Sequence, residues 1–431
     1  MRQELRSEKT GKILYLTCWL AYMLSYVGRM NYSAALICMI EDGVFNKAES
    51  GMIGTMFFIF CGAGQLVMSL LVSRMSSWKM LGIGLFGSAL CNAMMYFGSS
   101  YYAVMLIFWG LNGVMNAMIW PPIFHIISYT LPRSQRQKAC LTISIGAPAG
   151  SIVAYLVSTV IMENLHYMAV FIVPAFMLLA IGLLWVVVSI YTKRVLKKEA
   201  AMLPDEKVVP VEEVTQKGAP TEDGYQMHLI PLLLASGVVF LIPAILIQGM
   251  LATGIATWVP AMITEVYKVS PTVSLLLTIL ITLTNLMGIY LGTYLSEKVF
   301  HDEVKAMAVQ FAIAVLPIAV LYFIGVLPVL LCIVLLCIAT TLMVGVNQLG
   351  VTLVPMRLAP FGQAVACMGF LNTLSYVGTA IANYGFGALA ESFGWNVTIL
   401  FWAGFAALGI VSSVLTFWRW KPFFKKMGNK A

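Results

Sequence analysis

Three side chains in the first apolar run of this sequence could hold an anion. Tyr22, Tyr26 and Arg29 recur at i, i+4 and i+7, so a helix presents them on one face. They lie inside a run from Ile13 to Ile40 that is long enough to cross a bilayer as a helix. At about 1.5 Å of rise per residue, Arg29 sits roughly 24 Å from the start of the run, near mid-membrane. A guanidinium there costs about 2.5–3.5 kcal/mol on insertion scales, and it cannot shed its charge. That face reads as the lining of a polar cavity, with Arg29 as a fixed positive charge for an anion. The plainer reading is an arginine that donates to backbone carbonyls or snorkels.

Other polar residues sit where only helix packing or a ligand would want them. Asn112, Asn116 and Trp120 fall at i, i+4, i+8, again one face. Trp120-Pro121-Pro122 predicts a break or bend in that helix. His125 is the histidine that falls inside a span; its side chain titrates near neutral pH, which makes it a candidate for proton coupling, with packing as the plainer role. Gly146-Ala147-Pro148-Ala149-Gly150 reads as a small-residue kink for close packing or a hinge. The later part of the chain offers Gln248, Trp258, Asn285, Asn347, Gln348, Asn372 and Tyr376, the last two at i, i+4. Trp258, Asn372 and Tyr376 join Tyr22, Tyr26, Arg29, Asn116 and Trp120 as the candidate substrate-binding set.

The elements that must position these residues are membrane helices. The chain has 431 residues, 60% hydrophobic and 10% charged, where a soluble domain carries about 25% charged residues. Only helices and closed barrels span lipid, and apolar runs without polar alternation favour helices. Twelve spans are expected, at roughly 13–40, 50–73, 79–98, 102–130, 139–162, 167–191, 229–263, 272–296, 304–325, 328–355, 362–390 and 396–418. The seventh is long for one crossing, and Pro231, Pro243 and Pro260 predict that it bends or extends past the lipid.

With both termini in the cytoplasm, all but Lys47, Lys268 and Arg29 of the 26 Lys and Arg residues fall on the inner side, as the positive-inside rule requires. The net charge of +8 is therefore mostly a topology charge, and no nucleic-acid partner is expected. The acidic residues all fall in loops, tails or span ends. Eight cysteines lie almost entirely in apolar runs with no metal-ligand spacing. No phosphate-binding loop or nucleotide-binding domain is present, so neither an enzyme nor a pump driven by its own ATPase is expected, and no cofactor or metal.

The long hydrophilic stretch divides six spans from six. The expected organisation is 1–191 as a six-helix half, 192–228 as a cytoplasmic linker, 229–420 as a second six-helix half and 421–431 as a basic cytoplasmic tail. A faint repeat relates Ser69-Leu70-Leu71-Val72-Ser73-Arg74 to the stretch from Gly288 to Lys298. Two such halves with a midplane site is the pattern of secondary transporters.

These residues resemble the major facilitator superfamily, and within it the organophosphate:phosphate antiporter family. Tyr22-x3-Tyr26-x2-Arg29-x-Asn31 followed by Glu41-x-Gly43 is similar to that family's first helix, where tyrosines and arginine line the phosphate site. Asn116-x3-Trp120-Pro121-Pro122 resembles its fourth helix, and Trp258-Val259-Pro260 its seventh. Gly369-Phe370, Tyr376-x-Gly378 and Phe393-Gly394-Trp395 resemble the eleventh helix and its exit. The resemblance implies an all-α membrane protein of twelve helices in two pseudo-symmetric halves that works by alternating access.

Four positions depart from the family pattern. Its second phosphate-binding arginine falls on Ala252, its helix-two lysine on Gln65, its helix-five histidine on Ala147, and the acid of its loop motif on Ser73, which leaves Arg74. A dianionic phosphate ester held by one arginine is poorly neutralised, so a monoanion or carboxylate is favoured, with a phosphate ester as the further option. With no buried acid to carry protons, exchange of one anion for another is the simplest coupling. Two other readings stay open: a carrier of neutral or cationic compounds with a structural Arg29, and a membrane sensor that binds a small anion without moving it. The expected setting is a cell membrane, bacterial and inner, with the protein working as a monomer.

Overall fold

A computed structural model describes residues 5–71, 75–132, 135, 139, 142–143, 145–201, 228–323, 327–358, 361 and 363–428. Ser73 and Arg74 of the loop motif lie outside the described residues, as do most of the linker and the last three residues of the tail. Every regular element among the described residues is helical.

The first unit carries α1 (Glu8–Glu41), α3 (Ser77–Phe97), α4 (Tyr102–Ala117), α5 (Trp120–Thr130), α6 (Gly146–Asn164) and α7 (Ala169–Ala201). Ser7 caps α1 by accepting from the Thr10 amide, which satisfies one of the donors that a helix start leaves open. The expected break before Trp120 is present: a turn at Met118 and Ile119 ends α4, and α5 begins with its prolines in the first turn, where a missing N–H costs nothing. A core of Leu14, Cys18, Leu85, Ile123, Leu178 and Trp185 joins α1, α3, α5 and α7.

The helix α2 (Lys47–Leu71) is shared. The chain divides into two compact units, Met1–Val44 with Ile59–Glu213, and Phe45–Phe58 with Val214–Ala431. The start of α2 thus belongs with the second unit, and its remainder with the first.

The second unit adds α8 (Leu229–Ser236), α9 (Ile242–Gly249), α10 (Ile255–Tyr267), α11 (Pro271–Tyr294), α12 (Glu303–Phe323), α13 (Val329–Asn347), α14 (Val354–Arg357) and α15 (Ala364–Gly428). The long seventh span is interrupted, at a glycine and at a π-helical turn, while Pro260 lies within a continuous helix. Gly237 takes a left-handed φ of 79° between α8 and a 3-10 turn, and a Cβ there would collide with Arg419. A π-helical turn, Met250–Gly254, then joins α9 to α10. Such turns insert a residue into the ladder and often mark functional helices.

Ten helices among the described residues are long and apolar enough to cross a membrane. One of them, α15, is two helices meeting at Gly394, which holds φ 79° and ψ 174°. The 34-residue α1 contains the Ile13–Ile40 run. Dividing α15 at Gly394 and counting α1, which holds Arg29 and is not one of those ten, gives twelve long helices among the described residues, each overlapping an expected span. Two charged ends differ from expectation: α7 runs on to Ala201 and α15 to Gly428, into stretches read as linker and tail. The reason for the first is local. Glu199 accepts from the backbone amides of Arg6 and Ser7, at 2.9 and 3.1 Å, so the end of α7 doubles as a cap for the start of α1.

Candidate functional site

In the first unit, Tyr22, Tyr26 and Arg29 stand half-buried along α1. The two tyrosine rings meet edge to face at 5.3 Å, and the Arg29 guanidinium carbon lies 5.1 Å above the Tyr26 ring, within range of a cation–π contact. Trp120 tilts against Tyr22 at 5.0 Å. Sequence spacing placed the first three together; the bend between α4 and α5 brings the fourth.

Another element, α6, shapes this face. Gly150 of α6 lies where a Cβ would strike the Met23 carbonyl, and a Cβ on Gly146 would press on the Tyr22 ring. The small-residue stretch that begins α6 thus seats that helix directly on the tyrosine-bearing turn of α1.

A buried amide network fixes the backbone at Arg29. The carbonyl of Gly28 accepts from Asn92 Nδ2 at 3.1 Å and from Asn112 Nδ2 at 3.0 Å. Asn31 Nδ2 donates to Asn92 Oδ1 and to the Val170 carbonyl, both at 2.8 Å. The Ser88 hydroxyl donates to Asn112 Oδ1 at 2.6 Å, and Asn116 Nδ2 donates to the Asn112 carbonyl at 3.0 Å and to Asn112 Oδ1 at 3.2 Å. Asn31, Ser88, Asn92 and Asn112 are buried, while Asn116 is half-buried. Gly28 is required for this approach, because a Cβ there would meet Leu178 and Asn92. Asn92 and Ser88 were not singled out from sequence. The available signal was a lone asparagine in the third apolar run, where an amide must find a partner.

His125 lies elsewhere. Its Nδ1 is 3.0 Å from the hydroxyl of Ser77, the first residue of α3, so it sits toward one end of the helices and is not joined to the Arg29 cluster by any of these contacts.

The second unit has its own polar cluster. Gln248 Oε1 accepts from Asn347 Nδ2 and from the Ser375 hydroxyl, each at 3.1 Å. Ser375 is flanked on α15 by Asn372 and Tyr376, both half-buried, and Tyr376 lies 6.4 Å from the Phe58 ring. Close backbone contact sets this arrangement: a Cβ on Gly249 would strike the Ser375 carbonyl, and one on Gly378 the Leu246 carbonyl. Ala252, where the resembled family would carry a second arginine, is buried in the π-helical turn.

Trp258 is placed differently from Asn372 and Tyr376. It is fully buried, its indole N–H donating to the Asn383 carbonyl at 3.1 Å, and a Cβ on Gly387 would touch its ring. This is a packing position. Beside it, Trp395 donates to Glu265 Oε2 at 2.8 Å, Glu265 pairs with Lys47 Nζ at 2.7 Å, and Glu391 accepts from the Lys47 amide at 2.7 Å. These contacts bind the first turn of α2 to α10 and α15. No group of His, Cys, Asp and Glu able to hold a metal ion occurs among the described residues.

Comparison with known proteins agrees with this architecture. The Major Facilitator Superfamily model matches residues 18–383. A probable hexose phosphate transport protein of Chlamydia trachomatis is 22% identical over 424 residues, covering 94% of this chain and 90% of the relative. The glycerol-3-phosphate transporter of Bacillus subtilis is 24% identical over 418 residues, covering 94% and 91%. Among solved structures, a bacterial homolog of the human lysosomal transporter Spinster, inward-facing and unoccupied, superposes with a TM-score of 0.73 over 97% of this chain and 98% of that one, at 13% identity. That last likeness is one of fold. A match across most of the chain and twelve helical crossings with polar clusters in both units place this chain in the Major Facilitator Superfamily, as a membrane transporter.

Proposed function

We propose that this transporter exchanges small organic anions across the membrane by alternating access, with Arg29 as the charge anchor. The observation that carries this is the setting of Arg29: a permanent cation deep in a membrane helix, stacked on Tyr26, on a backbone clasped by Asn92 and Asn112. A cation held that firmly at depth is a standing positive potential. Tyr22 and Tyr26 supply hydrogen-bonding walls, Trp120 borders Tyr22, and Asn116 joins the amide network through Asn112. Within the second unit, Asn372 and Tyr376 are the candidate substrate contacts. Trp258 acts through packing.

A monoanion or carboxylate suits this chain best. The relatives named for hexose phosphate and glycerol-3-phosphate support anionic cargo in general. A dianionic ester, however, calls for more than one cation in a desolvated site, and Ala252 offers none. The charge distribution supports both termini in the cytoplasm of a bacterial inner membrane.

The test is a thermal-stability screen of the purified protein against short carboxylates, glycerol 3-phosphate and hexose 6-phosphates, followed by counterflow in vesicles. The best carboxylate at saturation should raise the midpoint by roughly 5 °C. R29A should abolish that shift, and R29K should leave part of it. Uptake should depend on anion in the opposite compartment. If a proton gradient alone drives uptake, exchange is refuted and His125 becomes the coupling candidate. If R29A transports normally, the cargo is not read by charge; binding without flux would mark a sensor.

A further inference from the structure

The outer face of α7 changes character where the helix leaves the apolar layer. Leu183, Val187, Ile190 and Tyr191 are 56, 63, 47 and 45% exposed, and their spacing puts them on one stripe. The next residues on that stripe are Arg194, Lys197 and Lys198, all exposed. From Tyr191 to Arg194 the helix rises about 4.5 Å, and to Lys198 about 10 Å, which carries the stripe from hydrocarbon through a headgroup layer of roughly 5–8 Å.

The surroundings leave these three cations facing outward. Lys193 turns aside over the Trp78 ring at 5.3 Å, and Trp78 stacks on Trp185 at 5.3 Å. Glu199, the nearest acid on the helix, is occupied in capping α1. That cap also brings the start of α1 to the end of α7, so the exposed Lys9 and Lys12 add positive field there; Glu8 alone offsets it on that turn.

We propose that this stripe binds an anionic phospholipid, its acyl chains along Leu183, Val187 and Ile190 and its phosphate on Arg194, Lys197 and Lys198. The continuity of apolar tract and cations selects a lipid. A soluble phosphate would gain nothing from Leu183 or Val187, and a nucleic acid would not reach below Tyr191. The interaction is independent of the cargo carried at Arg29.

Full-length protein in detergent is titrated with phosphatidylglycerol or phosphatidylcholine, and retained lipid is counted by native mass spectrometry. Phosphatidylglycerol should be preferred. Each cation near a lipid surface is worth roughly fivefold in affinity, so K198Q should lower that preference about fivefold and R194Q/K197Q/K198Q by roughly a hundredfold. R194K should keep it, and K421Q/K425Q, which removes two cations of α15, should keep it too. K198Q, a single exposed substitution, carries the test if the triple variant melts early. Equal retention of the two lipids by the natural protein overturns the proposal. So does an undiminished preference in K198Q, or displacement of phosphatidylglycerol by millimolar inorganic phosphate, which would assign the cations to a soluble anion.

Discussion

The Gly28 carbonyl shows how a membrane protein fixes the backbone beside a half-buried charge. Two buried amides, from α3 and α4, converge on the peptide that precedes Arg29. Interhelical hydrogen bonds in bilayers average only about 0.6 kcal/mol, but this pair belongs to a network. Replacing Asn112 by leucine removes a donor to Gly28 and takes the acceptor from the buried Ser88 hydroxyl, while Asn116 keeps the backbone carbonyl of residue 112, and an orphaned buried group costs more than the bond itself. N112L should therefore lose about 1–2 kcal/mol of stability in detergent unfolding. It should also bind the anion more weakly, while N112L/N92L should lose less than the sum of the two, because both serve one carbonyl. The types and spacing of Tyr22, Tyr26 and Arg29 were legible from sequence. The clasp was not, because Asn31 and Asn92 are far apart in the chain and periodicity within one helix cannot pair them.

At the scale of helices, glycine placement decides how closely they cross. In the second unit, Gly249 and Gly378 each lie where a methyl group would strike a carbonyl of the facing helix, while Gly385, also in α15, has open space at that position. G378A must push α9 from α15 and should cost about 1–3 kcal/mol. G385A should be neutral or stabilising by up to about 1 kcal/mol, since alanine is the better helix former. Thermal melting of the two variants side by side checks both. The broken fourth span was readable because proline chemistry is local, whereas the seventh is interrupted at Gly237 and in a π-helical turn that periodicity does not announce. The reach of α7 to Ala201 was not readable either: a run of lysines reads as a solvated loop until Glu199 is seen to cap another helix.

For the whole molecule, hydrophobic run length gave all twelve crossings, because a bilayer leaves a chain so few options. It did not reveal that the first turns of α2 belong with the second unit. That depends on Lys47 meeting Glu265 and on Glu391 meeting the Lys47 amide, contacts between residues more than two hundred positions apart. Glu265 is largely exposed, and exposed pairs contribute about 0–1 kcal/mol, so E265Q should shift the melting midpoint by no more than a few degrees. The charge asymmetry makes a sharper global prediction. A green fluorescent protein fused after Ala431 should fluoresce, and alkaline phosphatase fused there should be silent; fused after Lys268, the phosphatase should be active.

The clasp on Gly28 has a spectroscopic consequence. A carbonyl that accepts two side-chain amides beyond its place in the helix vibrates at lower frequency than its neighbours. Isotope-edited infrared spectra of protein carrying a 13C=18O label at Gly28 should show a red-shifted band, and its loss in N112L would give a local readout of the peptide adjoining the charge.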